Sequence, residues 1–271
     1  MTQRSSQFAG SIPEIYDQHL GPVFFPGYAA DMAARVKVGE GARVLELAGG
    51  TGISSRYLRD AMPETAVLVV TDLNQDMLKV AKKKFAADEN VVFQPADATS
   101  LPYEDNEFDA VASQFGVMFF PDKGAAFSEM ARVLKPGGAL VFNVWESPEE
   151  NPIASTVAET IFGFMPEGTP NFFNVPFGFN DRDVIRELME AANFSDIEFI
   201  SCPMEATAES AAHAAKGFVQ GNPVILDIRD NPDINEDEVT DAVAAALRDL
   251  GGDNPVRGSM LATVVTAKAP G

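Results

Sequence analysis

The sequence predicts an α/β protein: a doubly wound sheet of about seven strands, mostly parallel with an antiparallel last strand, carrying a helical lid insertion. Three observations predict it. Between residues 40 and 145, short apolar runs alternate with helical patterns, as parallel βαβ units require. The runs are almost continuously apolar, so their strands are covered on both faces. Glycines and acids collect where the runs end, which is where open α/β sheets bind ligands.

Taken in order, Arg43–Leu47 reads as a buried strand broken by Gly49-Gly50-Thr51-Gly52. Ile53 to Met62 follows as a helix that Pro63 stops. Ala66–Thr71 is a second strand ending at Asp72, and Gln75–Ala87 is a helix with Met77, Leu78, Ala81 and Phe85 on one stripe. Val91–Phe93 is a short third strand ending near Asp97, and Phe108–Ser113 is the fourth. A helix from about Gly124 to Val133 precedes Lys135-Pro136-Gly137-Gly138, a turn that cannot continue it. Ala139–Trp145 is the fifth strand.

Beyond Trp145 the pattern changes. Residues 147–180 are rich in proline, glycine and phenylalanine and predict a partly irregular apolar cover. Asp181–Asn193 reads as a helix, Ile197–Ile200 and Leu261–Val265 as two strands able to pair antiparallel. Ala206 to Gly252 between them is helical, with Ala242–Leu250 clearest, an insertion spanning about 205–257. The chain thus divides into an N-terminal lid segment (1–39), an α/β core (40–146), the apolar cover (147–180) and a C-terminal part of the core (181–271).

Composition narrows the function classes. With 46% hydrophobic and 22% charged residues the chain is globular rather than disordered. The 20 Lys and Arg stand against 40 Asp and Glu, so a nucleic-acid surface is not expected. The one dense basic run, Lys79, Lys82, Lys83 and Lys84, reads as a solvated helix face. Cys202 is the single cysteine, which forbids an internal disulfide and fits a reducing, cytoplasmic setting, where it reads as a small buried residue at a strand end. No apolar run reaches 18 residues and Met1–Ser6 lacks a signal-peptide core, so neither a membrane span nor secretion is expected. No Cys/His metal pattern is present.

The ligand loop follows the first strand. Gly49, Gly50 and Gly52 allow close backbone approach and offer N–H groups at a helix start. Asp72 lies 20 residues after Gly52, where a carboxylate can accept both hydroxyls of a ribose. Alone this says only that the ligand contains adenosine, since dinucleotide sites share it. Plainer readings stand beside it: a tight turn for the glycines, a helix cap for Asp72 (with Asn74 the better placed cap), a turn residue for Asp97, and an ordinary strand-end polar residue for Gln114.

The full constellation is more specific. Val44–Gly52 resembles the first motif of class I S-adenosylmethionine-dependent methyltransferases, and Thr71–Leu78 their second. Ala96–Tyr103 followed by Phe108-Asp109 resembles the third-strand segment, and Leu134–Gly138 the turn into strand five. The nearest subgroup resembles the small-molecule methyltransferases that include the ubiquinone and menaquinone C-methyltransferases. That resemblance implies a Rossmann-like fold, S-adenosyl-L-methionine as methyl donor (S-adenosyl-L-homocysteine as product), and a small-molecule acceptor, which is small and partly apolar if the apolar cover lines the site. Gly49, Gly50 and Gly52 would cradle the amino-acid end of the cofactor, with Glu46 supporting the loop and the cofactor's ammonium. Asp72 would hold the ribose, Leu73 and Met77 flank the adenine, and Asp97 with Ala98 meet its exocyclic amine. Gln114 and Phe115 would line the methyl-transfer side, with Gln114 a candidate catalytic residue, and Tyr16 would close over the cofactor. One departure stands out: Ala48 occupies the place of the family's first glycine, tolerable if its φ is negative.

The protein's task would be positioning and desolvation, because a sulfonium already activates its methyl group. A general base matters only for an acceptor that keeps its proton. The two histidines are the candidates: His19 in the lid segment, as base or substrate ligand or else a surface helix residue, and His213 in the insertion. Phe24, Phe25 and Tyr28 make the lid apolar, and Ile161–Met165 with Phe172-Phe173 form a pocket wall, core packing or a dimer face. Ser113-Gln114-Phe115-Gly116 lacks the Asn-Pro-Pro-aromatic segment of nucleobase and glutamine-amide methylation, and no thiol suits cytosine C5 or arsenic methylation. Two rivals remain: a non-catalytic S-adenosylmethionine-binding protein, and a nicotinamide-dependent oxidoreductase, for which Ser55 stands where a third glycine belongs.

Overall fold

The computed structural model describes residues 7–271; the expectation about Met1–Ser6 lies outside them. The chain opens with a short helix α1 (Ile12–Ile15), a π-helical turn (Tyr16–Leu20) and α2 (Gly21–Arg35). The core then alternates β1 (Arg43–Glu46), α3 (Ile53–Ala61), β2 (Val67–Asp72), α4 (Gln75–Lys82), β3 (Val91–Pro95) and β4 (Phe108–Gln114). It continues through α5 (Lys123–Val133), β5 (Leu134–Trp145), α6 (Pro152–Phe162), α7 (Arg182–Ala191) and β6 (Ser195–Ala208). Helices α8 (Ala211–Gln220), α9 (Val224–Asp230) and α10 (Glu236–Gly251) lead to β7 (Val256–Lys268).

One seven-stranded sheet runs in the order β3-β2-β1-β4-β5-β7-β6. The pairs from β3 to β5 are parallel, while β7 runs antiparallel to both its neighbours, as the sequence predicts. The strand order reverses between β1 and β4, which opens a crevice beyond their carboxyl ends. Apolar residues of the central strands are sealed by helices on both faces: Phe108, Phe127 and Phe142 are all fully buried, each stabilising the fold by about 1.5–3 kcal/mol through burial.

Several boundaries differ from expectation. Strand β5 starts at Leu134, and the expected turn at 135–138 is a bulge within it: Phe108 pairs Leu134 and Ala110 pairs Ala139. Lys135 Nζ donates to Asp109 Oδ1 at 2.8 Å across the bulge, and Gly137 takes φ +73° there. Helix α4 stops at Lys82, five residues early, because Lys83 and Lys84 donate to the carbonyls three residues back. The basic run is accordingly not one solvated face. Lys83 pairs with Glu14, while Lys84 binds Asp17 and donates to the Thr51 carbonyl at 2.7 Å, docking the N-terminal segment onto the glycine turn. The apolar cover contains a full helix, α6, and β6 and β7 form a hairpin far longer than their apolar cores suggest. Cys202 is buried as expected, but in the middle of β6 rather than at its end.

Candidate functional site

At the end of β1 the chain turns sharply through Ala48–Gly52 before α3. Ala48 takes φ +52°, Gly50 φ +56° and Gly52 φ +81°. The condition for tolerating Ala48, a negative φ, is therefore not met: this L-residue sits in the left-handed region, where a methyl group costs about 1–2 kcal/mol. The glycine amides are not free either. Gly49 N donates to Thr71 O (2.8 Å), Gly50 N to Asp72 Oδ2 (3.0 Å) and Gly52 N to Gly49 O (2.9 Å). The turn thus offers a ligand bare backbone surface rather than three open donors. A Cβ on Gly50 would meet only Met77 Cε, at 3.7 Å, so that side of the turn is open, whereas one on Gly49 would strike Val70 Cγ1 at 2.6 Å.

Asp72, at the end of β2, is pinned by the same turn. Its Oδ1 accepts from Asn74 N at 2.8 Å and, at 3.3 Å, from the Asn74 side chain. Asn74 occupies the N-cap position of α4, as expected, but makes no side-chain cap bond. Burial raises the Asp72 carboxyl pKa, opposed by the hydrogen bonds from Asn74 and Gly50. Glu46, fully buried on β1, accepts from the hydroxyls of Ser54 and Ser55 on the first turn of α3. Burial pushes its pKa up to about 7 against those two bonds, with Asp72 adding to the rise.

These residues border a solvent-open cleft at the strand-order reversal. The structure brings together there Tyr16, Ala48, Gly50, Asp72, Leu73 and Met77, and from the far wall Asp97, Ala98, Gln114 and Phe115. Glu46, Gly49 and Gly52 do not line it; they shape the turn from behind. Asp97 also closes a turn, its Oδ1 accepting from Thr99 N at 2.8 Å and Thr99 Oγ1 at 2.7 Å. Gln114 Nε2 donates to Phe25 O at 3.4 Å, while its Oε1 is buried with no partner among the described residues. An orphaned buried acceptor facing a cleft is what a ligand donor would satisfy.

A second, narrower cavity adjoins the cleft, and the two share Phe8, Tyr16, Phe115 and Phe119 as a common wall. Its lining includes Phe24 and Phe25 of α2, Trp145 at the end of β5, Phe172, Phe173 and Phe177 of the cover, and Phe218 of α8. Phe115, at φ +53°, lies flat on Trp145 with ring centroids 3.8 Å apart, and Tyr16 stacks on Phe25 at 5.6 Å. Of the cover's two apolar runs, Phe172-Phe173 is wall while Ile161 is core. Trp145, Phe177 and Phe218 escape sequence reading. Trp145 alone carried a signal, its place at the carboxyl end of a strand.

The histidines lie elsewhere. His19 lines neither cavity; its ring packs on His213 of α8 with centroids 4.4 Å apart, and its Nδ1 is buried without a partner among the described residues. Burial, then His213 and Lys216, lower its pKa. The expectation of a base at His19 or His213 therefore finds no geometry: the two rings seat the π-helical turn on α8. Gly217 and Gly221 do the same through backbone, since a Cβ on either would come within 2.7–3.1 Å of the His19, Leu20 or Tyr16 main chain. Among the described residues no cluster of three metal-ligating side chains occurs, and no helix is long and apolar enough to cross a membrane.

Fold and site together define a doubly wound α/β protein whose ligand cleft opens at the strand-order reversal beside an aromatic chamber. Comparison with known proteins places it further. A family described as "Methyltransferase domain" matches residues 45–142. The chain is similar to the ubiquinone/menaquinone biosynthesis C-methyltransferase of Ectopseudomonas mendocina, 41% identical over 130 residues that cover 46% of this chain and 50% of that one. It is also similar to the same enzyme of Psychromonas ingrahamii, 30% identical over 175 residues, covering 60% and 70%. Among solved structures, the YcgJ protein of Bacillus subtilis superposes with a TM-score of 0.60 at 18% identity, over 90% of this chain and 99% of that one. A phosphoethanolamine N-methyltransferase 2 of Haemonchus contortus in complex with S-adenosyl-L-methionine superposes with a TM-score of 0.61 at 18% identity, over 98% and 58%. The chain belongs to the class I S-adenosylmethionine-dependent methyltransferases. It spans about half the length of the first of these curated relatives.

Proposed function

We propose that the protein transfers a methyl group from S-adenosylmethionine, held in the glycine-turn cleft, to a small, partly apolar acceptor held in the aromatic chamber. The observation that carries this reading is the shared wall: Tyr16 and Phe115 border both cavities, so ligands seated in them lie side by side at those two rings. The cleft suits such a donor. Asp72 keeps acceptor capacity facing the cleft for ribose hydroxyls, because a carboxylate has about four acceptor sites and backbone amides use two. Leu73 and Met77 give an apolar berth for a base, beside the polar edge at Asp97 and Ala98. The orphaned Gln114 Oε1 is an acceptor for the donor's ammonium or the acceptor's polar group.

When bound, the sulfonium supplies an activated methyl group. This chain's residues then align the acceptor and exclude water rather than exchange protons. Tyr16 stays protonated, its pKa raised by burial and by Asp72 and Asp17, so its hydroxyl is a donor at the junction. The test is calorimetric titration with S-adenosylhomocysteine: a single site with micromolar affinity that protects against thermal unfolding is expected. The absence of binding by a folded sample would overturn the reading, and binding with no transfer to any acceptor would favour a non-catalytic binding protein.

A further inference from the structure

The aromatic chamber carries a chemical preference that its shape alone does not. None of its lining residues is Lys, Arg, His, Asp or Glu. Its polar groups, all uncharged, are the Tyr16 hydroxyl, the Asn222 amide and the Trp145 indole N–H. Asn222 donates one amide hydrogen to the Phe218 carbonyl at 3.1 Å, which leaves its oxygen and its second amide hydrogen, both uncharged, for a ligand. Most of the rest of the wall is aromatic rings, with Leu20, Met118, Ala154, Pro176 and Met260 between them. Ring faces carry negative quadrupole potential and attract cations, most strongly where water is excluded. A buried anion has neither a cationic partner here nor a base to create it, and an unpaired charge in such surroundings is strongly disfavoured.

Resting on the methyl-transfer reading above, we infer that the acceptor is an uncharged nucleophile of the tertiary-amine or thioether class, whose methylated product is an onium cation that the aromatic chamber stabilises. The acceptor's lone pair forms the new bond to the methyl carbon, and the carbon–sulfur bonding pair stays on sulfur. The positive charge passes to the acceptor, and no proton is released. No general base is then needed, in keeping with two histidines that line neither cavity. As charge leaves the sulfur it moves toward Trp145, Phe177 and their neighbours, so the wall favours the charge-shifted state over the starting one.

Trp145 is the only tryptophan and lines the chamber, so its fluorescence reports occupancy directly. The protein is titrated, with and without S-adenosylhomocysteine, with phenyltrimethylammonium, its uncharged isostere tert-butylbenzene, and the anion 4-tert-butylbenzoate. The onium ion is expected to bind about tenfold more tightly than either of the others. Equal or tighter binding of the isostere or the anion would overturn the inference while leaving the donor site standing. Failure of S-adenosylhomocysteine to bind, seen by calorimetry, sinks the donor reading instead, and the chamber preference is still read from Trp145. In Phe177→Leu, which keeps the apolar volume but removes a ring stacked near Trp145 at 6.1 Å, onium affinity should fall about fivefold with tert-butylbenzene unchanged within twofold. A parallel loss for both ligands would show that the ring contributes packing only. Phenyldimethylamine and methyl phenyl sulfide as acceptors then separate the amine from the thioether source.

Discussion

Asp72→Ala is the sharpest single perturbation of the donor cleft. The carboxylate holds the turn through Gly50 N at 3.0 Å and the start of α4 through Asn74 N at 2.8 Å. Its remaining acceptor sites face the cleft; the 3.3 Å contact from the Asn74 side chain is long enough for a ribose hydroxyl to replace. Hydrogen bonds to a charged group are worth about 1.5–3 kcal/mol each. Two ribose hydroxyls at the lower end of that range come to about 3 kcal/mol, and with about 1.4 kcal/mol per tenfold the dissociation constant of S-adenosylhomocysteine should rise by about a hundredfold. The same change strips two backbone amides of their acceptor and should lower stability by about 1–2 kcal/mol, since water can reach the cleft. Asp72→Asn keeps one oxygen acceptor without the charge and should lose about tenfold. Calorimetric titration measures the affinities, and a denaturant melt of the same samples measures stability. An Asp72→Ala protein that melts cooperatively yet binds within threefold of the parent refutes the ribose assignment and the geometric reasoning behind it.

Three further outcomes follow from the structure. Glu46 is buried with a pKa raised from 4.5 to about 7, so between those values the folded state holds a proton the unfolded chain has lost, and stability should fall by about 3 kcal/mol as pH rises through that window. Glu46→Gln should flatten the curve of denaturant midpoint against pH between about 4.5 and 7, and parallel curves for parent and variant would reject the assignment. Ala48→Gly relieves a left-handed alanine worth about 1–2 kcal/mol against about 0.4–1 kcal/mol of added unfolded-chain entropy, so urea unfolding should show a net gain of about 0.5–1 kcal/mol. A loss would mean that the Ala48 methyl, close to Gly116, supplies packing that outweighs its backbone strain. Gly217→Ala would place a methyl 2.7–2.8 Å from the His19 and Leu20 backbone, so the π-helical turn must shift; a stability loss of about 1–3 kcal/mol and a weakened Tyr16 wall, read as raised acceptor KM, are expected, and unchanged values for both would show the turn to be free of α8.

The sequence by itself determined the sheet and one side of the site. Period-two burial does not arise in strands covered on both faces, so β1, β2 and β4 stand out as continuous apolar runs, and the glycine turn and Asp72 follow from residue type at fixed spacing. The same local reading fell short where the partner lies far along the chain. Strand β6 is at the sheet edge with mixed exposure, so only its most apolar stretch is legible, and its pairing with β7 through Ala208 exists only in three dimensions. Local spacing cannot show that Ala48 has φ +52° or that the loop amides already have acceptors. Nor can it show that two histidines 194 positions apart in sequence pack on each other. Above all, the chamber is tertiary. Phe24, Trp145, Phe177 and Phe218 belong to separate segments, each unremarkable as an apolar residue in its own helix, strand or loop. Only the return of the lid, the cover and the β6–β7 insertion over the carboxyl ends of the strands turns their rings toward one space. An aromatic side chain that packs against its neighbours and one that faces a ligand have the same local sequence signature, and their difference is set by which distant chain fails to fill the gap.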